Sequence, residues 1–189
     1  MVGWLRCRVT WLIMKIDPAI IQFSAENVRA QMLPRVDAVQ LDPVMVQKIR
    51  QRVPVFSGMS AECLGRTLAL AQHFSVQANV VVCAEGEVGD AFYVLISGEV
   101  RIEKGQPPIA VELARLGPGH CFGEMALVGR HVRSATVRAL KDSIIMRFDR
   151  YRVDANAESA QIIYRNIAGI LASRLESSSE QLADLDGRR

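Results

Sequence analysis

At 189 residues the chain can bury one substantial core with flanking helices, but it is short for two domains. Half of its residues are apolar and 23% are charged, a balance that excludes a disordered or fibrous protein. The net charge of +3 is small, and the basic residues are scattered from Arg6 to Arg189, so composition gives no reason to expect a nucleic-acid surface.

The stretch from Val2 to Ile16 is rich in Trp, Leu and Ile, yet Arg6, Arg8 and Lys15 interrupt it. It falls short of the ~20 apolar residues that a spanning helix needs. No uninterrupted apolar run leads into a small-residue cleavage site, so the expectation is a cytoplasmic protein with no transmembrane segment. The stretch reads as a packing segment, an interfacial helix, or an extension upstream of a start at Met14. Ser24 can cap a helix that Pro34 stops after Leu33. Another helix begins near Pro43 with Val44, Val46 and Ile49 as its apolar positions. After Val53, Pro54, Val55 and Phe56, Ser60 can cap a further helix carrying Cys63, Leu64, Leu68 and Leu70.

From Phe74 the texture changes to short β-branched and aromatic runs punctuated by glycine, with a turn signal about every ten residues. Strands are expected over 74–76, 80–83, 92–96, 99–103, 112–116, 121–122, 135–140 and 143–148. Gly86 with Gly89, and Ser97 with Gly98, mark tight connections, while Gly105, Pro107 and Pro108 mark a longer hairpin loop. The segment 158–185 contains no proline and one glycine, Gly169, and reads as a long helix. The expected fold is therefore mainly β: an eight-stranded antiparallel β-roll of the double-stranded β-helix or jelly-roll kind, with N-terminal helices and a long C-terminal helix. Its parts are a helical segment 1–53, the roll 54–156 and the helix 157–189.

Cys7, Cys63, Cys83 and Cys121 are too far apart for a CxxC pair and read as buried reduced thiols. His120 and His131 read as exposed loop residues and His73 as a structural histidine, because no second metal-type residue stands at ligand spacing from them. There is no GxSxG elbow, no HExxH and no P-loop lysine, so neither a cofactor nor an enzymatic activity is expected.

One segment does carry chemistry. Phe122-Gly123-Glu124-Met125-Ala126-Leu127 is followed, after a short polar stretch, by Arg133-Ser134-Ala135-Thr136-Val137. Gly123 permits close backbone approach, and a brief helix starting there would aim free N–H groups at an anion. Arg133 offers paired donors that match phosphate oxygens, which a lysine would lack. Glu124 beside such an anion makes sense if it accepts a hydrogen bond from a sugar hydroxyl. Together these groups describe a phosphorylated ribose.

At these residues the sequence resembles the cyclic nucleotide-binding domain family of the catabolite activator, the protein kinase A regulatory subunits and the cyclic nucleotide-gated channels. Phe122 to Leu127 with Arg133 to Thr136 looks like that family's phosphate-binding cassette. The run from Glu85 to Val100, Glu-Gly-Glu-Val-Gly-Asp-Ala-Phe-Tyr-Val-Leu-Ile-Ser-Gly-Glu-Val, looks like its glycine-bounded turn and strand pair. The resemblance covers about 54–175. It implies cAMP or cGMP as ligand, with cAMP favoured; Ser134 suits syn guanine but also occurs in adenine binders. By resemblance Glu124 binds the ribose 2′-hydroxyl, and Arg133 and Ser134 with the backbone of Gly123 and Glu124 hold the phosphate. Phe122, Met125, Ala126 and Ala135 complete the set.

The resemblance also implies that the long helix closes over the base and passes the signal to a downstream protein. Ile163, Ile167, Ile170 and Arg174 share one face suited to packing on the roll and capping a purine. Tyr164, Ala168, Leu171, Leu175, Ser178, Leu182 and Leu185 step by four and three, the spacing of a coiled-coil seam, and suggest a homodimer. Ser177, Ser178 and Ser179 read as a solvated face. A chain that stops at Arg189 leaves no room for the DNA-binding domain of catabolite activators, so DNA is not an expected partner. The competing readings are the sensory piece of a transcription regulator or channel, and a member of the fold that has lost its ligand.

Overall fold

The structure is a computed structural model that describes residues 33–34, 43–105, 108–129 and 132–186. For 33–34, 43–45, 181–182 and 184–186 it describes the backbone course alone. The expectations for Val2 to Ile16, for most of the helix after Ser24, and for Cys7, Pro107 and His131 lie outside the described residues.

Strand β1 (Leu33–Pro34) lies at a sheet edge, pairing Leu33 with Ser75 and Pro34 with Phe74. Leu33 is therefore a strand residue and not the last residue of a helix; an edge position is where a sheet tolerates proline, which has no N–H to donate. Helix α1 (Pro43–Arg52) ends just before Val53-Pro54, as expected where a proline disfavours a helical predecessor, and a 3-10 turn spans Pro54–Phe56. Helix α2 (Ala61–Ala69) starts on Ser60, whose hydroxyl accepts the Cys63 N–H at 3.0 Å.

The eight expected strands follow as β2 (Gln72–Val76), β3 (Val81–Cys83), β4 (Ala91–Ser97), β5 (Val100–Lys104), β6 (Val111–Leu116), β7 (Cys121–Phe122), β8 (Thr136–Ala139) and β9 (Ser143–Asp149). They form a sheet ordered β1-β2-β9-β4-β7 and a second ordered β3-β8-β5-β6, with every pairing antiparallel. A single helical turn, α3 (Met125–Val128), interrupts the passage from β7 to β8. Helix α4 (Arg150–Asp154) leads into α5 (Ala157–Asp186).

Two cores explain the layering. Strand β4 is buried along most of its length, and its side chains alternate between them. Tyr93 and Leu95 point between the sheets, to Val82, Val100, Phe122, Val137 and Ile145. Phe92 and Val94 point the other way, to the helices, meeting Val55, Phe56, Leu64, Phe148, Ile163 and Ile167. Phe148 is stacked on Phe92 at 4.9 Å and meets Phe56 edge-on at 5.4 Å. Each fully buried side chain of this size stabilises by about 1.5–3 kcal/mol over an exposed one.

The first half of α5 is fastened to this helical core. The Asn156 side chain accepts the Ser159 N–H at 3.1 Å, the Ser159 and Thr67 hydroxyls lie 2.7 Å apart, and Asn166 donates to the carbonyls of Val55 and Ser57 at 3.0 and 2.8 Å. The second half runs on beyond the core. No helix among the described residues is long and apolar enough to cross a membrane.

Candidate ligand-binding site

Strand β7 stops after two residues because Gly123 leaves it with φ of +75°, a conformation that glycine adopts without strain. The turn brings the chain against Arg133. A Cβ on Gly123 would stand 2.6 Å from Nη1 of Arg133, and one on Gly89 would stand 2.6 Å from its Cζ. Both glycines are thus the room that the guanidinium occupies, a physical reason for Gly89 that its place in a turn does not supply.

Arg133 is 6% exposed. Its Nη1 donates to the carbonyls of Ala91 and Gly123, both at 2.8 Å, and its Cζ lies 5.3 Å from the centre of the Tyr93 ring. The backbone that carries it is fastened to the turn before β4. Gly86 N–H donates to the Arg133 carbonyl at 2.9 Å and Arg133 N–H to the Glu87 carbonyl at 2.8 Å. The guanidinium is therefore held in place by the protein's own carbonyls and backbone.

Glu124 is 2% exposed. Its Oε1 accepts a hydrogen bond from Nη1 of Arg174 on α5, whose Nη2 also donates to the Cys121 carbonyl at 2.8 Å. Its Oε2 is buried and has no hydrogen-bond partner. Burial pushes the carboxyl above its ordinary pKa, with the Arg174 charge the largest effect pulling it back. A buried acceptor without a donor costs on the order of 1–3 kcal/mol, which a hydroxyl brought by a ligand would recover.

These groups face one cleft of about 670 Å³, within the size of ordinary small-molecule sites. Phe122, Gly123, Glu124, Met125, Ala126, Arg133, Ser134 and Ala135 all line it, as does Arg174. Phe122 and Ala126 are buried, while Met125 is half exposed and its sulfur accepts from the Ser134 hydroxyl at 3.3 Å. Helix α3 is one turn, too short for a dipole of consequence, so anion affinity here would rest on the guanidinium and local amides.

Ile163, Ile167 and Ile170 are not part of the cleft wall. Ile163 and Ile167 are buried in the helical core and Ile170 packs against it. They do share a face with Arg174, as their spacing implies, but that face meets the core along its first turns and reaches the cleft only at Arg174. Ser177 and Ser178 are exposed, as expected of a solvated face, and they also line the cleft together with Ser173. The 3.6-residue period places them beside Arg174, a signal visible once that residue's position is known.

Sequence reasoning also missed the opposite wall. Cys83, Ile102, Leu113 and Val137 make it largely apolar, and Lys104 stands at its rim. Burial pushes the Cys83 thiol up to about 11, so it contributes a neutral surface. Cys63, Cys83 and Cys121 are free and buried. His120 is exposed beside the Gly117 carbonyl, 3.0 Å away.

A double-sheet jelly roll whose long helix borders a cleft holding two guanidinium groups, those of Arg133 and Arg174, and one buried carboxylate suits a small-molecule ligand. Residues 73–158 match the family model of the Cyclic nucleotide-binding domain, so this part of the chain is similar to that family. The Cyclic AMP receptor protein of Thermus thermophilus is 31% identical over 133 residues, covering 68% of this chain and 60% of that protein. A cyclic nucleotide-gated potassium channel of Rhizobium etli is 33% identical over 102 residues, covering 54% of this chain and 27% of that protein. The crystal structure of the Thermus thermophilus catabolite activator protein superposes with a TM-score of 0.63 at 30% identity, covering 70% of this chain and 63% of that one. The chain thus spans less than two thirds of the length of each of these relatives.

Proposed function

We propose that the chain is a regulatory module that binds a cyclic nucleotide, cAMP in preference to cGMP, and signals through α5 without catalysing a reaction. The observation that carries this reading is the meeting, in one cleft, of the carbonyl-held Arg133 guanidinium and the orphaned Oε2 of Glu124. The cyclic phosphate lies against Arg133 and Ser134 and the backbone of Gly123 and Glu124. The ribose 2′-hydroxyl donates to Glu124. The purine lies between the apolar wall of Ile102, Leu113 and Val137 and the hydroxyls of Ser173 and Ser177. The preference for cAMP draws on the names of the relatives, a cyclic AMP receptor protein among them.

Helix α5 is the output. Arg174 joins it to the carboxylate that grips the sugar, so a ligand that stabilises this arrangement shifts the population of docked helix by its differential affinity. A downstream protein, or a second copy along α5, reads the change. The share of the relatives that the chain covers also suits a second reading, the sensory piece of a catabolite-activator-type regulator or of a channel.

Calorimetric titration of the full chain with cAMP and cGMP tests the proposal. Binding of cAMP is expected, abolished by Arg133→Leu and weakened less by Glu124→Ala. Absence of heat and of thermal stabilisation at millimolar concentrations of both nucleotides would leave a structural role alone.

A further inference from the structure

Strand β5 holds an anomaly. Its period-two alternation sends Val100 and Ile102 inward and Arg101 and Glu103 outward, so the next inward position, Lys104, puts a cation on the cleft wall. The ammonium group is not given over to solvent. It donates to the Ser134 carbonyl at 2.7 Å and pairs with Oε1 of Glu85 at 2.7 Å. Glu85 is itself held, its Oε2 accepting the Gly105 N–H at 2.9 Å and its own N–H donating to the Thr136 hydroxyl at 3.0 Å. A closed loop of polar contacts therefore joins the turn before β4, the end of β5 and the residue after Arg133.

We propose that Lys104 is a positioning residue for the anion end of the cleft, holding the Ser134–Ala135 peptide in its ligand-ready orientation while Glu85 holds Lys104. The inference rests on the cyclic-nucleotide reading given above. A trans peptide carries its C=O and N–H in opposite directions, so fixing the Ser134 oxygen on Lys104 also fixes the Ala135 N–H. Ser134 itself is exposed, and α3, one turn long, offers little rigidity nearby. Without the lysine this peptide would be free to rotate, and each ligand would have to order it on binding. The neutralising Glu85 makes the contribution geometric; Lys104 adds little net charge to the cleft.

Titration of cAMP into the full chain and its Lys104→Ala, Lys104→Arg and Glu85→Gln variants, each with a thermal unfolding curve of the ligand-free protein, tests this. Lys104→Ala is expected to raise Kd about tenfold, the size of one charge-assisted hydrogen bond, with little change in Tm. Lys104→Arg, which keeps a donor within reach of both oxygens, is expected to recover most of the affinity, and Glu85→Gln to lose several-fold. Native affinity in Lys104→Ala, equal loss in Lys104→Arg, or a Tm that falls in step with affinity would overturn the positioning role while leaving cyclic-nucleotide binding intact. A native chain that takes up neither cAMP nor cGMP would instead remove the ligand reading itself, and the role of Lys104 with it.

Discussion

Glu124 and Arg133 are both buried, yet they are prepared in opposite ways. Two carbonyls take Nη1 of the guanidinium beside an aromatic face, whereas one oxygen of the carboxylate is left without a donor. The acid is therefore the group whose state a ligand changes most. Burial raises its pKa, so the folded protein keeps the proton to higher pH than the unfolded chain does. This group's contribution to stability is thus most favourable at low pH and declines as pH rises through the raised value. Ligand affinity has the reverse sign, because the ionised carboxylate is the stronger acceptor for a sugar hydroxyl and the better partner for Arg174. The affinity for cAMP is accordingly expected to fall on acidification, starting above the ordinary carboxylate range, and Glu124→Gln is expected to remove that dependence. Calorimetry at stepped pH measures both.

Helix α5 works as two halves, and its residues explain why. Ile163 and Ile167 fill the helical core, Asn166 satisfies two carbonyls of the 3-10 turn segment, and only then do Ser173, Arg174 and Ser177 reach the cleft. The isoleucine stripe was legible as a face packed on the roll; that its isoleucines stay clear of the cleft was not, since periodicity fixes which residues share a side and not what lies opposite. Asn166→Ala removes both hydrogen bonds and leaves two carbonyls to find other donors. It should lower stability by about 1–3 kcal/mol, read from the midpoint of denaturant unfolding. The cleft residues are untouched by this change, so cyclic nucleotide should raise the midpoint of the variant as it does that of the native chain.

For the chain as a whole, the open question is a second copy along α5. The seam proposed from four-and-three spacing is not uniformly free. Tyr164 and Leu171 pack partly on the helical core and Ser178 lines the cleft, leaving Ala168 exposed and Leu175 69% exposed; the side chains of Leu182 and Leu185 lie outside those described. A dimer in solution is expected to bury Leu175. Sedimentation equilibrium should then show dimers for the native chain and monomers for Leu175→Glu, and native monomers at every concentration would remove the seam.

Local rules were enough for the elements. Ser60 and Pro54 set helix boundaries, alternation and glycine marked the eight strands of the roll, and the Phe122–Arg133 segment named the chemistry of its own loop. What these rules could not reach was distance. Nothing local tells that Gly89 makes room for Arg133, that Arg174 holds Glu124, or that Lys104 and three serines share a cleft with both, because each depends on elements remote in the chain being packed together. Propensity and spacing act over a few residues and are written in order along the chain, whereas a cleft is defined by surfaces that meet after the two sheets and α5 have buried their apolar faces.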